Sequence, residues 1–580
     1  MRVHGQLWRG VAAPLFCALA PVLGSGAQAQ TVDYFSTPWI ISPAPPNASN
    51  GQANGLPAGN RSPGAHSDLY AQVTAQAAQN APPWGLTENI GIDEIATDNV
   101  GETENNRVAD LSSLFSAGAV ATADSTRLNG ILSVTGLYRR NIKDTGLDGF
   151  SGYGYANGQA VIIPASFYFS IHGLMDDLSR EGGGVQNALV QTPQDTHTYS
   201  ISGSPILSSR IGDIGLNVAR YQIGQVWFDN NTGAIETPGF NIGPISSSTD
   251  QNAREDFKMA GTIFPRLMSD VSLSGMENDS GALGSGDFTR VNGELINEFE
   301  VTRYASAIGG AGYERLNDNV SPDIDGEGPV WDIGTRLRPN ADSFVLLTYG
   351  RHDLKSDFAG ELSWRLTDLT NIYAAYTDSI SNSQQSVIGN TDASQVGPEG
   401  AVSGVTFDQS TLIGTLDDAA LNAGPGEEAG GSPLGVPLTD INSALPLQNG
   451  LFRIKSFRAT GRTSLDDDSL SLTLYHMQST QLTGTGQFGE QVGSVVSTEG
   501  GTLSWYRTFS YDLSGLASAG YGRSNSGDAD TYSAALRLTQ TLSESLSAVV
   551  SYNFIYRDAH PSSGGYLQNA ITIGLHKTFD

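Results

Sequence analysis

The residues whose spacing most resembles a known site are Gly484-Thr485-Gly486-Gln487-Phe488-Gly489. This G-x-G-x-x-G pattern occurs in dinucleotide sites, where it joins a strand to a helix whose N-terminus meets the pyrophosphate. Here the pattern lies in a predicted loop between two predicted β-strands. We therefore expect it to be a flexible connection and not a nucleotide site.

Two groups of carboxylates could hold a cation or transfer a proton. Asp323-Ile324-Asp325-Gly326-Glu327 has the ligand types of a Ca²⁺ loop, but its EF-hand register is incomplete. We expect a solvated acidic loop at this position. Asp466, Asp467 and Asp468 are adjacent, and the sequence around them is typical of a tight hairpin turn.

Histidine and cysteine offer little further chemistry. The eight histidines are scattered, without H-E-x-x-H. His172, His476 and His576 fall within predicted strands, where hydrogen-bonded or lumen-facing side chains are expected. Cys17 is the sole cysteine, and no G-x-S-x-G elbow is present. The sequence therefore predicts that the protein is not an enzyme and has neither a metal site nor a cofactor.

The N-terminal part of the chain predicts secretion. Arg2 and Arg9 precede an apolar core from Val11 to Gly24, and Ala27-Gln28-Ala29 follows as a cleavage motif, so residues 1–29 are interpreted as a signal peptide. Residues 30–85 are rich in Pro, Gly, Asn and Ala and are predicted to be a disordered periplasmic segment. The formal net charge of −29 makes nucleic acid an unsuitable partner.

The composition of the remaining chain favours a membrane barrel. Charged residues make up 16% of the chain and glycines number 69, whereas soluble domains contain about 25% charged residues and about 7% glycine. No apolar run after residue 30 is long enough for a membrane helix. Strands with alternating apolar residues cross a membrane without such runs.

Alternation at period two is clearest in the last three predicted strands, since successive side chains of a strand point to opposite faces. One face is predicted to contact lipid and the other the lumen. The lipid-facing set is Leu536, Val550, Tyr552, Phe554, Ile571, Ile573 and Leu575, and the lumen-facing set is Arg537, Ser551, Asn553, Arg557, Thr572 and His576. Phe579, one residue from the end, is interpreted as the membrane-insertion signal.

The connections alternate between tight polar turns and longer loops rich in Gly, Asp and Asn, including 142–156 and 383–449. Barrels of the outer membrane have short periplasmic turns and long outer loops. We therefore predict an all-β, transmembrane, antiparallel up-and-down barrel over 86–580. It should have about 22 strands, within a range of 20 to 24, and both termini in the periplasm. Tyr138, Tyr349, Tyr521, Tyr532 and Tyr556 fall at the loop ends of their strands and predict an outer aromatic girdle.

The long loop 383–449 contains eight acidic residues and no Lys or Arg. A structureless loop of this length is functional or disordered in most proteins. The sequence leaves open whether it constricts the lumen or extends outside.

Several motifs in the predicted barrel resemble one family. The first predicted strand, Leu86–Val100, contains Thr97-Asp98-Asn99, and the hairpin over 113–138 has Arg127-Leu128 in its second strand. Near the end come Ser551–Asp558, then Tyr566-Leu567-Gln568-Asn569, and a terminal strand that closes in Phe579. Together they resemble the outer-membrane β-barrel proteins associated with exosortase/PEP-CTERM and exopolysaccharide gene clusters.

The resemblance implies a role with surface polysaccharide in the cell outer membrane, as a conduit or anchor for exopolysaccharide export. The partners implied are outer-membrane lipid, lipopolysaccharide, the barrel-assembly machinery and the polysaccharide itself. Two alternatives stay open from the sequence: a general diffusion porin or nutrient channel, and a soluble β-rich surface adhesin.

Overall fold

A computed structural model gives the fold of the chain. It describes residues 84–579 except for these segments: 102–106, 126, 165, 180–194, 213, 230–235, 238–239, 242–246, 261–265, 280–287, 319–325, 341–342, 353–354, 382–450, 466, 483–494, 526–528, 544 and 560–564. Within this part of the chain, no helix is long and apolar enough to span a bilayer. The predicted signal peptide, residues 30–83 of the predicted periplasmic segment and the acidic loop 383–449 lie outside the described residues. The predicted boundary at 85/86 is wrong by two residues, because Trp84 and Gly85 already pair with β2.

Twenty-two long strands form one sheet, and two very short strands form a separate hairpin in the link between β7 and β10. The strands are β1 (Trp84–Thr97), β2 (Asp110–Asp124), β3 (Leu128–Asn141), β4 (Gly149–Ile163), β5 (Phe167–Ser179), β6 (Asp195–Ile211), β7 (Gly215–Asp229), β8 (Glu236–Thr237), β9 (Phe240–Asn241), β10 (Ser248–Ala260), β11 (Leu267–Asp279), β12 (Phe288–Thr302), β13 (Ala305–Asp318), β14 (Gly326–Asn340), β15 (Ser343–His352), β16 (Lys355–Thr367), β17 (Thr370–Ser381), β18 (Phe452–Ser464), β19 (Asp468–Gln481), β20 (Val495–Ser510), β21 (Leu513–Ser524), β22 (Ala529–Ser543), β23 (Leu546–Ala559) and β24 (Tyr566–Phe579).

The sheet is a closed antiparallel barrel. Each long strand pairs with the next one along the chain, and β1 pairs with β24 from Glu88↔Phe579 to Thr97↔Ala570. Closure satisfies the backbone groups of both edge strands, which a bilayer requires because it offers no water to an open edge. The predicted up-and-down barrel of about 22 strands is confirmed.

Trp84 and Phe579 lie at the same end of the barrel. At this end the links between successive strands, the first being β2–β3 and the last β22–β23, are two to six residues long. Most links at the opposite end are longer. This asymmetry identifies the end with both barrel termini as the periplasmic one. The predicted loop 142–156 is wrong in its second half, because β4 begins at Gly149 and pairs with Arg139 of β3. Its four glycines between 149 and 158 resemble a loop in sequence, but strands with small residues still pair through the backbone.

The barrel has an apolar exterior and a polar interior, the inverse of a soluble protein. On β24, Ile571 and Ile573 are 51% and 59% exposed, whereas Thr572 between them is fully buried. Side chains on the concave face converge and bury each other, while those on the convex face diverge. Polar side chains therefore fill the interior, and the apolar exterior is matched to lipid. This surface makes the soluble-adhesin alternative wrong.

Aromatic rings line the outer surface near the loop ends of neighbouring strands, as the sequence predicted. Tyr521, Tyr532 and Tyr556 form a row across β21, β22 and β23, with ring centroids 5.2 Å and 6.1 Å apart. Tyr349 packs against Trp331 and Phe358 in the same way on β14 to β16. Amphipathic rings at this height fit the headgroup level of a bilayer.

The seam between the first and last strands is fixed by two of the motifs singled out in the sequence. Asp98 accepts hydrogen bonds from the backbone N and the Nδ2 of Asn569, both at 2.7 Å. Asn99 donates to the carbonyl oxygen of Leu567 at 3.0 Å, and Gln568 donates back to that of Asn99 at 2.9 Å. The T-D-N and Y-x-x-N motifs therefore form one reciprocal lock across the seam.

Candidate functional site: the barrel lumen

The lumen has one wall of small hydroxyl side chains, which we name the hydroxyl wall. It covers the inward faces of β5 and β6 and of β20 to β24. Its members are Ser170, Ser200, Ser202, Ser204, Thr502, Ser504, Ser514, Thr531, Thr539, Ser547, Ser551 and Thr572, all of which are buried. On β6 the sequence Thr198-Tyr199-Ser200-Ile201-Ser202 alternates hydroxyl and apolar residues, so the period-two geometry of a strand collects the hydroxyls on one face.

The opposite wall carries most of the described interior charge, and we name it the charged wall. It is formed by the inward faces of β7 and β10 to β16. Its charged members include Arg220, Asp250, Arg254, Asp256, Lys258, Asp270, Arg290, Glu294, Glu298, Glu314, Asp332, Arg336, Arg338, His352 and Glu361.

Ion pairs within the charged wall stabilise several of these groups. Arg336 Nη1 lies 2.7 Å from Glu298 Oε2, with both side chains almost fully buried. Arg338 approaches the other Glu298 oxygen at 3.8 Å. Arg254 binds both carboxylate oxygens of Asp256 at 2.8 to 3.0 Å. Separating such a pair would leave a buried charge without a partner, which costs free energy. The pairs therefore fix the positions of the charged side chains on this wall.

At the outer mouth, a small apolar cluster joins strands that are not neighbours in the sheet. Phe288 and Leu316 lie at the loop ends of β12 and β13, and Ile380 and Leu451 at those of β17 and β18. All four side chains are buried. Contact between these strand ends spans the shorter rim at β15 and β16, whose link is two residues long.

The predicted site residues fall on the faces expected from the alternation. Inward-facing Arg537, Ser551, Asn553 and Thr572 are buried, as is the side-chain pair of His576 Nε2 with Asp93 Oδ1 at 3.0 Å. Arg557 shares their face and is half-buried. The outward set consists of Leu536, Val550, Tyr552, Phe554, Ile571, Ile573 and Leu575, and all but half-buried Phe554 are at least 38% exposed. Contact with lipid or with a passing molecule stays a prediction for both sets.

Other candidates from the sequence have different outcomes. The G-x-G-x-x-G segment 484–489 and residues 323–325 of the acidic cluster lie outside the described residues. Asp468 exchanges backbone hydrogen bonds with Leu465 and accepts one from Trp505 Nε1, which confirms the tight turn. His476 faces outward, 3.5 Å from Glu499, and not into the lumen. Phe579 lies on the outer face beneath the ammonium group of Lys577.

The charged wall was not predicted. Its members occur singly on separate strands, and only the sheet register brings them together. A closed barrel with an apolar exterior, aromatic rows and a polar interior defines an outer-membrane β-barrel, and the chain is located in the cell outer membrane.

Similar folds occur among solved structures. The FrpB iron transporter from Neisseria meningitidis (F3-3 variant) aligns at a TM-score of 0.47 and 10% identity, over 87% of this chain and 83% of that one. The siderophore receptor PirA from Acinetobacter baumannii gives 0.43 and 8%, over 85% and 80%. OccK1 (OpdK) from Pseudomonas aeruginosa gives 0.32 and 8%, over 85% and 99%. The sequence matches no family model and no curated protein.

Proposed function

We propose that the protein is an outer-membrane conduit for exopolysaccharide. The observation that carries this proposal is the hydroxyl wall, the set of small Ser and Thr side chains on the inward faces of β5 and β6 and of β20 to β24 in a closed 22-stranded barrel. A barrel of this size has a wide lumen. Resemblance of the seam motifs to barrels found with exopolysaccharide clusters supports the same function.

Hydroxyl groups suit a moving neutral polymer. Each can donate and accept a hydrogen bond, and a net contribution of about 0.5–1.5 kcal/mol per bond is weak enough to exchange with the next sugar. Isolated charges or aromatic platforms would hold one position more tightly. Many small hydroxyls on neighbouring inward faces therefore guide a chain without trapping it.

The central experiment removes hydroxyls and preserves shape. Thr502→Val, Thr531→Val and Thr539→Val should be combined in one variant, with Thr463→Val as the control, because Thr463 faces outward and bonds Thr370 at 3.0 Å. Single-channel current through purified protein is measured with a neutral exopolysaccharide added on one side. Three lost bonds of about 0.5 kcal/mol each predict a blocking concentration about tenfold higher than for wild type.

In cells, deletion of the gene should remove polysaccharide from the surface, and wild type or Thr463→Val should restore it. Unchanged surface polysaccharide after deletion contradicts the proposal. Rapid liposome swelling with small sugars, together with a polymer block that is equal in wild type and the triple variant, would establish the diffusion porin instead.

A further inference from the structure

Three potential metal ligands meet on the charged wall, and they come from three different strands. Glu294 lies in the middle of β12, Asp332 in the middle of β14, and His352 is the last residue of β15. One ligand atom from each lies within 4.8 Å of the other two. Among the described residues, no other set of three His, Cys, Asp or Glu side chains converges in this way.

Glycines allow this convergence. The strand between the two carboxylates, β13, has Gly310 opposite Asp332 and Gly312 opposite Glu294. A Cβ at Gly310 would lie 3.0 Å from Glu294 Oε1 and 3.2 Å from Asp332 Oδ2. Both carboxylates therefore lean over the same glycine from opposite sides. Gly350 of β15 pairs with Asp332 of β14. Because Gly350 has no side chain, it also leaves room for the Asp332 carboxylate.

Glu294 gives an independent indication of a ligand. Its side chain is 3% exposed, no donor group of the described residues bonds either carboxylate oxygen, and its neighbour is the carboxylate of Asp332. On the inward face of β10, Arg254 is held by Asp256 at 2.8 to 3.0 Å, and Lys258 lies opposite Asp270 in the register. Buried carboxylates without donors are rare, because removing such a group from water is costly unless a cation or hydrogen bond replaces the water.

The other two ligands are partly organised. His352 Nε2 lies 2.8 and 2.9 Å from the two oxygens of Asp332, so the ring and the carboxylate are oriented toward each other. The side chains of His352 and Asp332 are 25% and 11% exposed to the lumen, whereas Glu294 is at the back. An ion can therefore enter from the lumen, exchange with the His352–Asp332 contact and meet Glu294.

We propose that Glu294, Asp332 and His352 bind a divalent transition-metal ion, for which Zn²⁺ is the best-matched probe. One imidazole and two carboxylates suit Zn²⁺, which accepts N and O ligands at about 2.0–2.2 Å, whereas Ca²⁺ takes six to eight oxygens. Two carboxylates also balance the charge of the ion. The site ties β12, β14 and β15 together inside the lumen and does not depend on what the barrel exports.

Equilibrium dialysis of EDTA-treated, detergent-solubilised full-length protein against Zn²⁺, followed by elemental analysis, tests the site. Wild type should retain one ion per chain. Glu294→Gln and His352→Gln should each weaken binding at least about tenfold, since even changes of outer-shell groups around a metal cost 10–100-fold. Gly310→Ala keeps all three ligands but forces the carboxylates apart, and should weaken binding as well.

His576→Gln is the matched control, because His576 forms a similar pair with buried Asp93 at the seam, and no third His, Cys, Asp or Glu converges on it among the described residues. Its Zn²⁺ binding should equal that of wild type. Folding of every variant is verified by its shifted band on unheated gels. A folded wild-type protein that retains no stoichiometric Zn²⁺, or an equal loss in His352→Gln and His576→Gln, overturns the proposal.

Discussion

The seam lock makes a quantitative prediction for Asp98→Ala. Asp98 accepts two hydrogen bonds of 2.7 Å from Asn569, and its own backbone N donates to the Asn569 carbonyl at 3.1 Å. The substitution removes the two side-chain bonds and leaves the backbone one. Bonds to a charged acceptor contribute about 1.5–3 kcal/mol each when buried. Because Asp98 is only half-buried, we expect a combined loss of about 2–4 kcal/mol.

The assay is urea unfolding of the barrel in lipid vesicles, followed by tryptophan fluorescence and by the shifted band on unheated gels. Glu94→Ala is the matched control. It lies near the end of β1, shortly before Asp98, and accepts one bifurcated hydrogen bond from Ser113 Oγ, at 2.8 and 3.0 Å, but the contact is exposed. Its loss should stay below about 1 kcal/mol. If Asp98→Ala destabilises the barrel no more than Glu94→Ala, the motifs do not lock the seam.

Three further predictions concern the exterior, the charged wall and the cargo. Ile573→Arg, on the outer face at 59% exposure, should destabilise the barrel by about 2–4 kcal/mol in the vesicle assay, and no loss would show that this position does not face hydrocarbon. Arg336→Met should cost about 3–5 kcal/mol because it removes the 2.7 Å partner of the fully buried Glu298 and leaves only Arg338, at 3.8 Å, and recovery on adding Glu298→Gln checks that cause by a double-mutant cycle. A strongly anionic polymer should block the current only at higher concentration than a neutral one, because loop 383–449 has eight acids and no Lys or Arg. Adding Ca²⁺ should reduce this difference in blocking concentration. Preferential block by the polyanion without Ca²⁺ would contradict the expectation.

Much of the fold was predictable because a strand's period is a local property. Alternation from Leu536 to Leu575 places each side chain on its observed face, and the aromatic rows follow from where those strands end. The same dependence on a local pattern explains why the beginning of β4 was not predicted. The small residues after Gly149 weaken the apolar alternation, although the backbone pairing with β3 is unaffected.

The lumen's chemistry was less predictable because it depends on register between strands. The interior position of Glu294 follows from alternation, but its approach to Asp332 and His352 requires the pairings of β12 to β15. Likewise, the motifs at Asp98 and Asn569 are 471 residues apart, and only barrel closure brings them into contact. A single sequence does not fix these registers, since a shift by two residues preserves every face.

The most direct test of the whole account is thiol accessibility along one strand. The chain has one cysteine, Cys17, so Cys17→Ser provides a thiol-free background. On β19, Thr473 faces inward, and its neighbours Leu472 and Leu474 face outward at 45% and 46% exposure. We predict that a charged, membrane-impermeant thiol reagent modifies Thr473→Cys in vesicles while both leucine positions resist it and accept a lipid-soluble maleimide. Equal modification of all three by the charged reagent, or faster modification of the leucine positions, would contradict a barrel with lipid outside and water within.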